Sequence, residues 1–227
     1  LTIAHAHNYR LSAYERNPND FYPTPSDLAV GLARGLPALG FNLPRAALDP
    51  CGGDGALRRG LGPFGMDVRL TDLYPEEYTA ADGYLTREPL DASDPGQLKR
   101  ALVLARPACT AIVTNTPHNT KEACAIVENL IAFAEERAVD FAAALFRSIW
   151  GAEPGRLPYF NRPSFCGEIL CCWRARWIAG SDGSPMHAYA WYVWRGEPRS
   201  GPSLKVRVGR DESSLKRAAG PISRAGK

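Results

Sequence analysis

The most constraining stretch of the chain is Leu48-Asp49-Pro50-Cys51-Gly52-Gly53-Asp54-Gly55, which follows Ala46 and Ala47 and leads into Ala56-Leu57-Arg58-Arg59. The pattern is a short apolar strand, a glycine turn and a helix start. Glycines at 52, 53 and 55 let the backbone reverse sharply and approach a ligand closely, because no Cβ intervenes. The first N–H groups of the following helix face the same spot and suit a carboxylate or phosphate. Asp49, at the strand end, can accept a hydrogen bond from a cationic or hydroxyl group. Further on, Asp72 closes the alternation Val68-Arg69-Leu70-Thr71. An acid about 20 residues past a glycine turn is placed to bind a ribose diol. Turn and acid together point to a nucleoside-containing cofactor. The turn matches neither G-x-G-x-x-G nor a P-loop, and taken alone it also fits other α/β folds.

The rest of the chain alternates between two periods. Ser26 reads as an N-cap and Asp27 as a first-turn acid, ahead of apolar residues at 28, 29, 32, 33 and 36. Residues 75–82 suggest a short helix, and Leu90-Asp91 a third strand end. Asp94-Pro95 opens a helix to about residue 105. Ala111-Ile112-Val113-Thr114 is a buried strand and Lys121 to Arg137 the clearest amphipathic helix. Residues 140–146 form the next buried strand. Strand and helix in alternation give a parallel sheet covered on both faces. After residue 150 the pattern changes. Glu168 to Ile178 and His187 to Trp194 are β-type runs separated by Gly180-Ser181-Asp182-Gly183-Ser184-Pro185, an antiparallel hairpin signal.

Composition narrows the function. The chain has 227 residues, 45% hydrophobic and 22% charged, which suits a soluble globular protein. It has no apolar run of membrane-spanning length and no secretory-type N-terminus, so a cytoplasmic protein without a membrane partner is expected. The six cysteines form no C-x-x-C pair and read as reduced, buried thiols. The histidines are not spaced with them as metal ligands, so no metal is expected. The net charge of +3 is uneven: residues 205–227 carry seven Lys/Arg and two Asp/Glu. This basic tail reads as largely disordered, and either attracts a polyanion or is a solvated terminus. The domain organisation expected is an irregular arm over 1–20, a catalytic domain over 21–196 and a tail over 197–227.

With these features assembled, the chain resembles S-adenosylmethionine-dependent methyltransferases, and among them the small phage- and prophage-type adenine-N6 DNA methyltransferases. The resemblance spans roughly residues 20–196. An aromatic-Pro-Thr-Pro segment is matched by Tyr22-Pro23-Thr24-Pro25, and the motif Asp-Pro-x-x-Gly-x-Gly by Asp49, Pro50, Gly53 and Gly55, with Cys51 inside it. Asp72 matches the ribose acid and Asp91 the acid bordering the cofactor adenine. The resemblance implies S-adenosyl-L-methionine as cofactor and DNA as partner. It also implies a Rossmann-like, seven-stranded, mostly parallel sheet with helices on both faces and a C-terminal antiparallel hairpin.

One motif departs from the family. After the fourth strand, such enzymes carry Asn/Asp-Pro-Pro-Tyr/Phe; this chain has Asn115-Thr116-Pro117-His118. The Asn115 amide oxygen supplies one acceptor for an exocyclic amine, and the Thr116 carbonyl supplies a second, with Pro117 biasing Thr116 towards an extended conformation. His118 replaces the aromatic that would stack on a flipped base. Lys121 and Arg147 are weaker candidates for substrate phosphates. A protein amide or small amine as substrate, or a domain that binds cofactor without turnover, are the alternatives.

Overall fold

The computed structural model describes residues 23–117, 120–177, 187–198 and 200–210. The expected arm at 1–20, Tyr22, His118, the turn at 180–185 and most of the basic tail lie outside them.

Among the described residues seven strands form: β1 (Ala46–Asp49), β2 (Asp67–Leu70), β3 (Ala111–Asn115), β4 (Phe141–Arg147), β5 (Phe165–Arg174), β6 (Ala188–Arg195) and β7 (Leu204–Val208). They make one sheet in the order β2-β1-β3-β4-β6-β5-β7. The first four run parallel. β6 is antiparallel to both neighbours, and β7 runs parallel to β5. Six strands therefore point one way and one is inserted against them, a Rossmann-like sheet of the expected kind.

The strands alternate their side chains between two cores, as the period of two requires. On β4, Phe141, Ala143 and Leu145 face the core that includes Leu28, Leu32 and Leu57, from helices α1 (Ser26–Gly35) and α2 (Ala56–Leu61). Ala142, Ala144 and Phe146 face the opposite core, with Leu98, Leu102, Val127 and Leu130 from α3 (Pro95–Ala105) and α4 (Thr120–Glu135). Each fully buried Leu stabilises by about 1.5–3 kcal/mol relative to exposure. The two buried tryptophans of β6 satisfy their N–H groups on opposite sides: Trp191 Nε1 donates to Leu28 O at 2.8 Å and Trp194 Nε1 to Tyr159 O at 3.1 Å. The hairpin is thereby tied to α1 on one face and to the segment after β4 on the other.

Three expectations are corrected. No strand forms at Leu90-Asp91; the outer edge of β2 carries only an isolated bridge between Leu70 and Tyr84. Pro75, Gly83 and Pro89 interrupt this segment too often for a ladder. Secondly, Leu204–Val208 is a strand, so the sheet reaches beyond the boundary at 196 and reaches seven strands through its tail. At Gly167 there is no room for a Cβ against the Leu204 backbone, which lets β7 lie close to β5. Thirdly, Pro25 is the N-cap residue of α1, Ser26 being its first helical position, and no side chain caps the helix. The Asp94 cap is as expected, its side chain accepting from Gln97 N at 2.9 Å. Of the cysteines, Cys109, Cys166 and Cys171 are buried, but Cys172 is exposed and Cys51 and Cys124 are half-buried. None of the described helices is long and apolar enough to cross a membrane.

Candidate active site

A cavity of about 430 Å³ opens over the carboxyl ends of β1, β2 and β3. That is the edge where open α/β sheets bind ligands, and the size suits a nucleoside-sized one. Its floor is the glycine turn. Gly53 (φ 49°) and Gly55 (φ 78°) take left-handed conformations, Gly55 as the N-cap of α2. Gly52 approaches β2 so closely that a Cβ would sit 2.8 Å from Leu70 Cβ. The turn is fastened to β2 from two sides: Gly52 N donates to Thr71 O at 2.9 Å and Gly53 N to Asp72 Oδ2 at 2.9 Å. Tyr84 Oη donates to Gly53 O at 2.8 Å. α2 is only six residues long.

The acids are set by their neighbours. Asp49 is 2% exposed, and its Oδ1 accepts from Thr114 Oγ1 at 2.8 Å and Cys51 N at 3.1 Å. Burial raises its pKa to about 7 against those hydrogen bonds, with the Asp72 charge adding to the rise. Burial also pushes the Cys51 thiol up, with Asp49 and Asp72 helping to keep it protonated. Asp72 accepts one backbone bond on each oxygen, from Gly53 N and from Tyr74 N at 2.8 Å, and burial raises it too. Each carboxylate oxygen retains a lone pair for a diol. Asp91 lines the wall from a loop; its Oδ1 accepts from Ser93 N at 2.8 Å and Ser93 Oγ at 2.7 Å, an Asx-turn leading towards α3.

Asn115, the last residue of β3, stands on the cavity wall with its Oδ1 buried and without a hydrogen-bond partner among the described residues. Thr116 is 1% exposed, and its Oγ1 is likewise buried and unpartnered. Pro117 lines the mouth. A buried acceptor without a donor costs on the order of 1–3 kcal/mol, and no described residue supplies a donor to Asn115.

Of the residues expected at the site, Thr24, Asp49, Pro50, Cys51, Gly53, Asp72, Asp91, Asn115, Thr116 and Pro117 line this one cavity. Pro25, Gly55, Lys121 and Arg147 do not. Pro25 and Gly55 shape the backbone, whereas Lys121 and Arg147 are exposed outside the cavity. Residues without an earlier assignment also line it: Asp54, Tyr74, Tyr78 and Glu122 among them. Glu122 and Ile126 share a helix face at i, i+4, a spacing visible in the sequence, although nothing there says that the face borders a ligand.

Charge is the cavity's strongest signature. Asp49, Asp54, Asp72, Asp91 and Glu122 line it, Asp54 being offset by Arg59 at 2.6 Å, and no described lysine, arginine or histidine lines it. A phosphate-bearing cofactor would meet like charges in a poorly screened pocket. A cationic nucleoside fits: carboxylates for its positive centres, a diol acceptor at Asp72, and apolar surface at Leu73, Tyr74, Leu90 and Ala92 for a base. The glycine turn therefore does not serve a phosphate, as its short helix alone would allow.

No family model matches the sequence, and no curated protein matches it either. Among solved structures, the chain is similar to a candidate RNA methyltransferase of Pyrococcus horikoshii, with 12% identity over 79% of this chain and 90% of that one and a TM-score of 0.49. It is similar to a TehB-like SAM-dependent methyltransferase of Corynebacterium glutamicum, with 18% identity, 74% and 88% coverage and a TM-score of 0.43. A precorrin 8W decarboxylase of Methanobacterium thermoautotrophicum gives 16% identity, 80% and 96% coverage and also 0.43. At such identities and scores these neighbours decide nothing about the reaction of this chain; its own cavity must.

Proposed function

We propose that the protein is an S-adenosylmethionine-dependent methyltransferase that methylates an exocyclic amino nitrogen, N6 of adenine in DNA being the preferred acceptor. The observation that carries this reading is the buried, unpartnered Oδ1 of Asn115 on the wall of a cavity lined by five carboxylates and no described base. The cofactor, when bound, supplies a methyl group made electrophilic by a sulfonium charge. The residues of the chain do the rest. Asp49 and the surrounding acids favour a cation over a neutral or anionic ligand. Asp72 accepts from a ribose diol, Asp91 borders the base, and Leu73 and Tyr74 cover it at the rim.

Asn115 Oδ1 accepts a hydrogen bond from the amino group and the Thr116 carbonyl accepts a second. Two fixed acceptors turn the nitrogen lone pair towards the cofactor, which is catalysis by positioning and electrostatics. An adenine in a duplex must leave the stack to reach them. A protein amide or a small amine could meet the same two acceptors, so the acceptor must be identified by label.

The test is transfer from methyl-labelled S-adenosylmethionine to unmethylated genomic DNA, beside calorimetric binding of S-adenosylhomocysteine. Label recovered in N6-methyladenine is the expected result. Cofactor binding with label only in protein or small amines would replace the DNA acceptor, and no cofactor binding would overturn the whole reading.

A further inference from the structure

The cavity occupies only the first part of the sheet edge. Further along the same edge, past β3, stands a set of groups of the opposite sign. Arg147 is the last residue of β4, Arg174 the last of β5, and His187 immediately precedes β6. The ladders pair Arg147 with Tyr189 and Arg174 with Ala188, so the three lie at one level on adjacent strands. Strands are about 4.8 Å apart. Asn115 pairs with Leu145, which puts the reacting position one strand inward from Arg147. His187 registers both arginines: after burial, their charges disfavour its protonation.

Many of the chain's arginines are already neutralised by an acid. Arg58, Arg59, Arg100, Arg156, Arg162 and Arg210 each have an acidic partner. Arg147 and Arg174 form no ion pair with a described acid. Both are exposed; Arg147 stands one strand from the reacting amide and Arg174 three strands from it. Arg147 also has a side-chain hydrogen bond with Tyr189, which fixes it beside the end of β6. At the outer end Trp177 packs against Tyr189, ring centroids 5.0 Å apart, and remains half-buried.

We propose that Arg147, His187 and Arg174 form a ledge that holds the phosphate backbone of a single nucleic-acid strand whose reacting base enters at Asn115. This rests on the methyltransferase reading and names what its acceptor must carry. The ledge spans three strands, on the order of 10–15 Å at the usual strand spacing. That length holds two or three phosphates of one strand, and the base beside it is necessarily unstacked. The half-buried Trp177 adds an aromatic surface of the kind on which unpaired bases stack. An acidic protein would satisfy the arginines too, and the competition arm below separates it from a nucleic-acid strand.

The experiment is a fluorescence-anisotropy titration of the full chain with a labelled 12-nucleotide single-stranded DNA at several salt concentrations. S-adenosylhomocysteine binding is measured on every variant. Arg147→Gln with Arg174→Gln should weaken the oligonucleotide about tenfold or more and flatten the log–log salt slope by about 1.4, at roughly 0.7 per lost phosphate contact. Lys99→Gln with Arg207→Gln removes the same charge from α3 and β7 and should change affinity less than about twofold. Arg147→Lys with Arg174→Lys should restore most of the binding and the slope. Equal losses in the two Gln pairs would overturn the ledge, as would failure of the Lys pair or tighter binding of the matching duplex. Displacement of the oligonucleotide by polyglutamate of equal charge would overturn it in favour of an acidic protein. Oligonucleotide binding without any S-adenosylhomocysteine binding would sink the cofactor reading and leave the ledge standing.

Discussion

The two stretches of one sheet edge treat charge in opposite ways. Over β1 to β3 the chain sets Asp49, Asp72 and Asp91 around a cavity, the first two buried and pushed up in pKa. Over β4, β6 and β5 it sets Arg147 and Arg174 in solvent. Burial makes the first set selective, because a poorly solvated carboxylate has much to gain from one matching cation and nothing from a phosphate. Exposure makes the second set adaptable and screened by salt. Binding in the cavity should therefore be nearly indifferent to ionic strength, and binding on the ledge steeply dependent on it.

The comparison breaks most visibly at the residue between the two stretches. Asn115→Ala should lower kcat/KM for methyl transfer by about 10²- to 10³-fold while leaving S-adenosylhomocysteine and oligonucleotide affinities unchanged. Loss of either affinity would show that Asn115 belongs to one side rather than joining them. Next in size is Asp49→Asn, which keeps the Oδ1 acceptor but removes the charge. S-adenosylmethionine should bind about 10- to 100-fold more weakly at pH 8.

In the parent protein, affinity for this cation should rise with pH until Asp49 is ionised, near 7, and then level off; the variant should lose that rise. Apo stability has the opposite sign. The folded Asp49 keeps a proton that the unfolded one gives up from about pH 4, so stability falls as pH climbs to about 7. Thermal melts of the variant should lack this fall.

Gly167→Ala tests whether β7 belongs to the arginine-bearing side alone. The new Cβ would strike the Leu204 backbone, costing about 1–3 kcal/mol. Proteolysis should then open the chain near 204–210 while cofactor affinity holds. The smallest effect is expected from Thr116→Val, which removes a buried hydroxyl without a partner. Stability should rise by about 1 kcal/mol, with turnover preserved because the carbonyl remains. Reduced turnover would assign the hydroxyl a role.

Much of this was legible from residue order. The glycine turn, Asp72 and Asn115 sit at ends of short apolar runs, so an α/β reading brings them to one edge before any contact is known. Asp49 and Asn115 were readable for this reason. Glu122 and Tyr78 were not, because helix spacing says which face is shared but not what faces it. Nor was β7: Leu204–Val208 reads LKVRV, too polar and basic to announce a strand. Its pairing is decided by the free edge of β5 and the bare backbone at Gly167, both remote in sequence. Arg147 and Arg174 are 27 residues apart, and only the antiparallel turn of β6 brings them level.

That inserted strand has a consequence for how the molecule is made. β5 leaves the ribosome before β6, yet in the finished sheet it touches β4 only through β6. While residues 165–174 are emerging, the parallel part of the sheet through residue 147 can already close on α1 to α4. The new strand, however, has no seat beside β4. It must wait, with Phe165, Ile169 and Cys171 uncovered, until Trp191 and Trp194 arrive and the hairpin docks as a unit. A chain stopped between the two strands is thus the nascent length most exposed to aggregation, and the one for which a chaperone matters most.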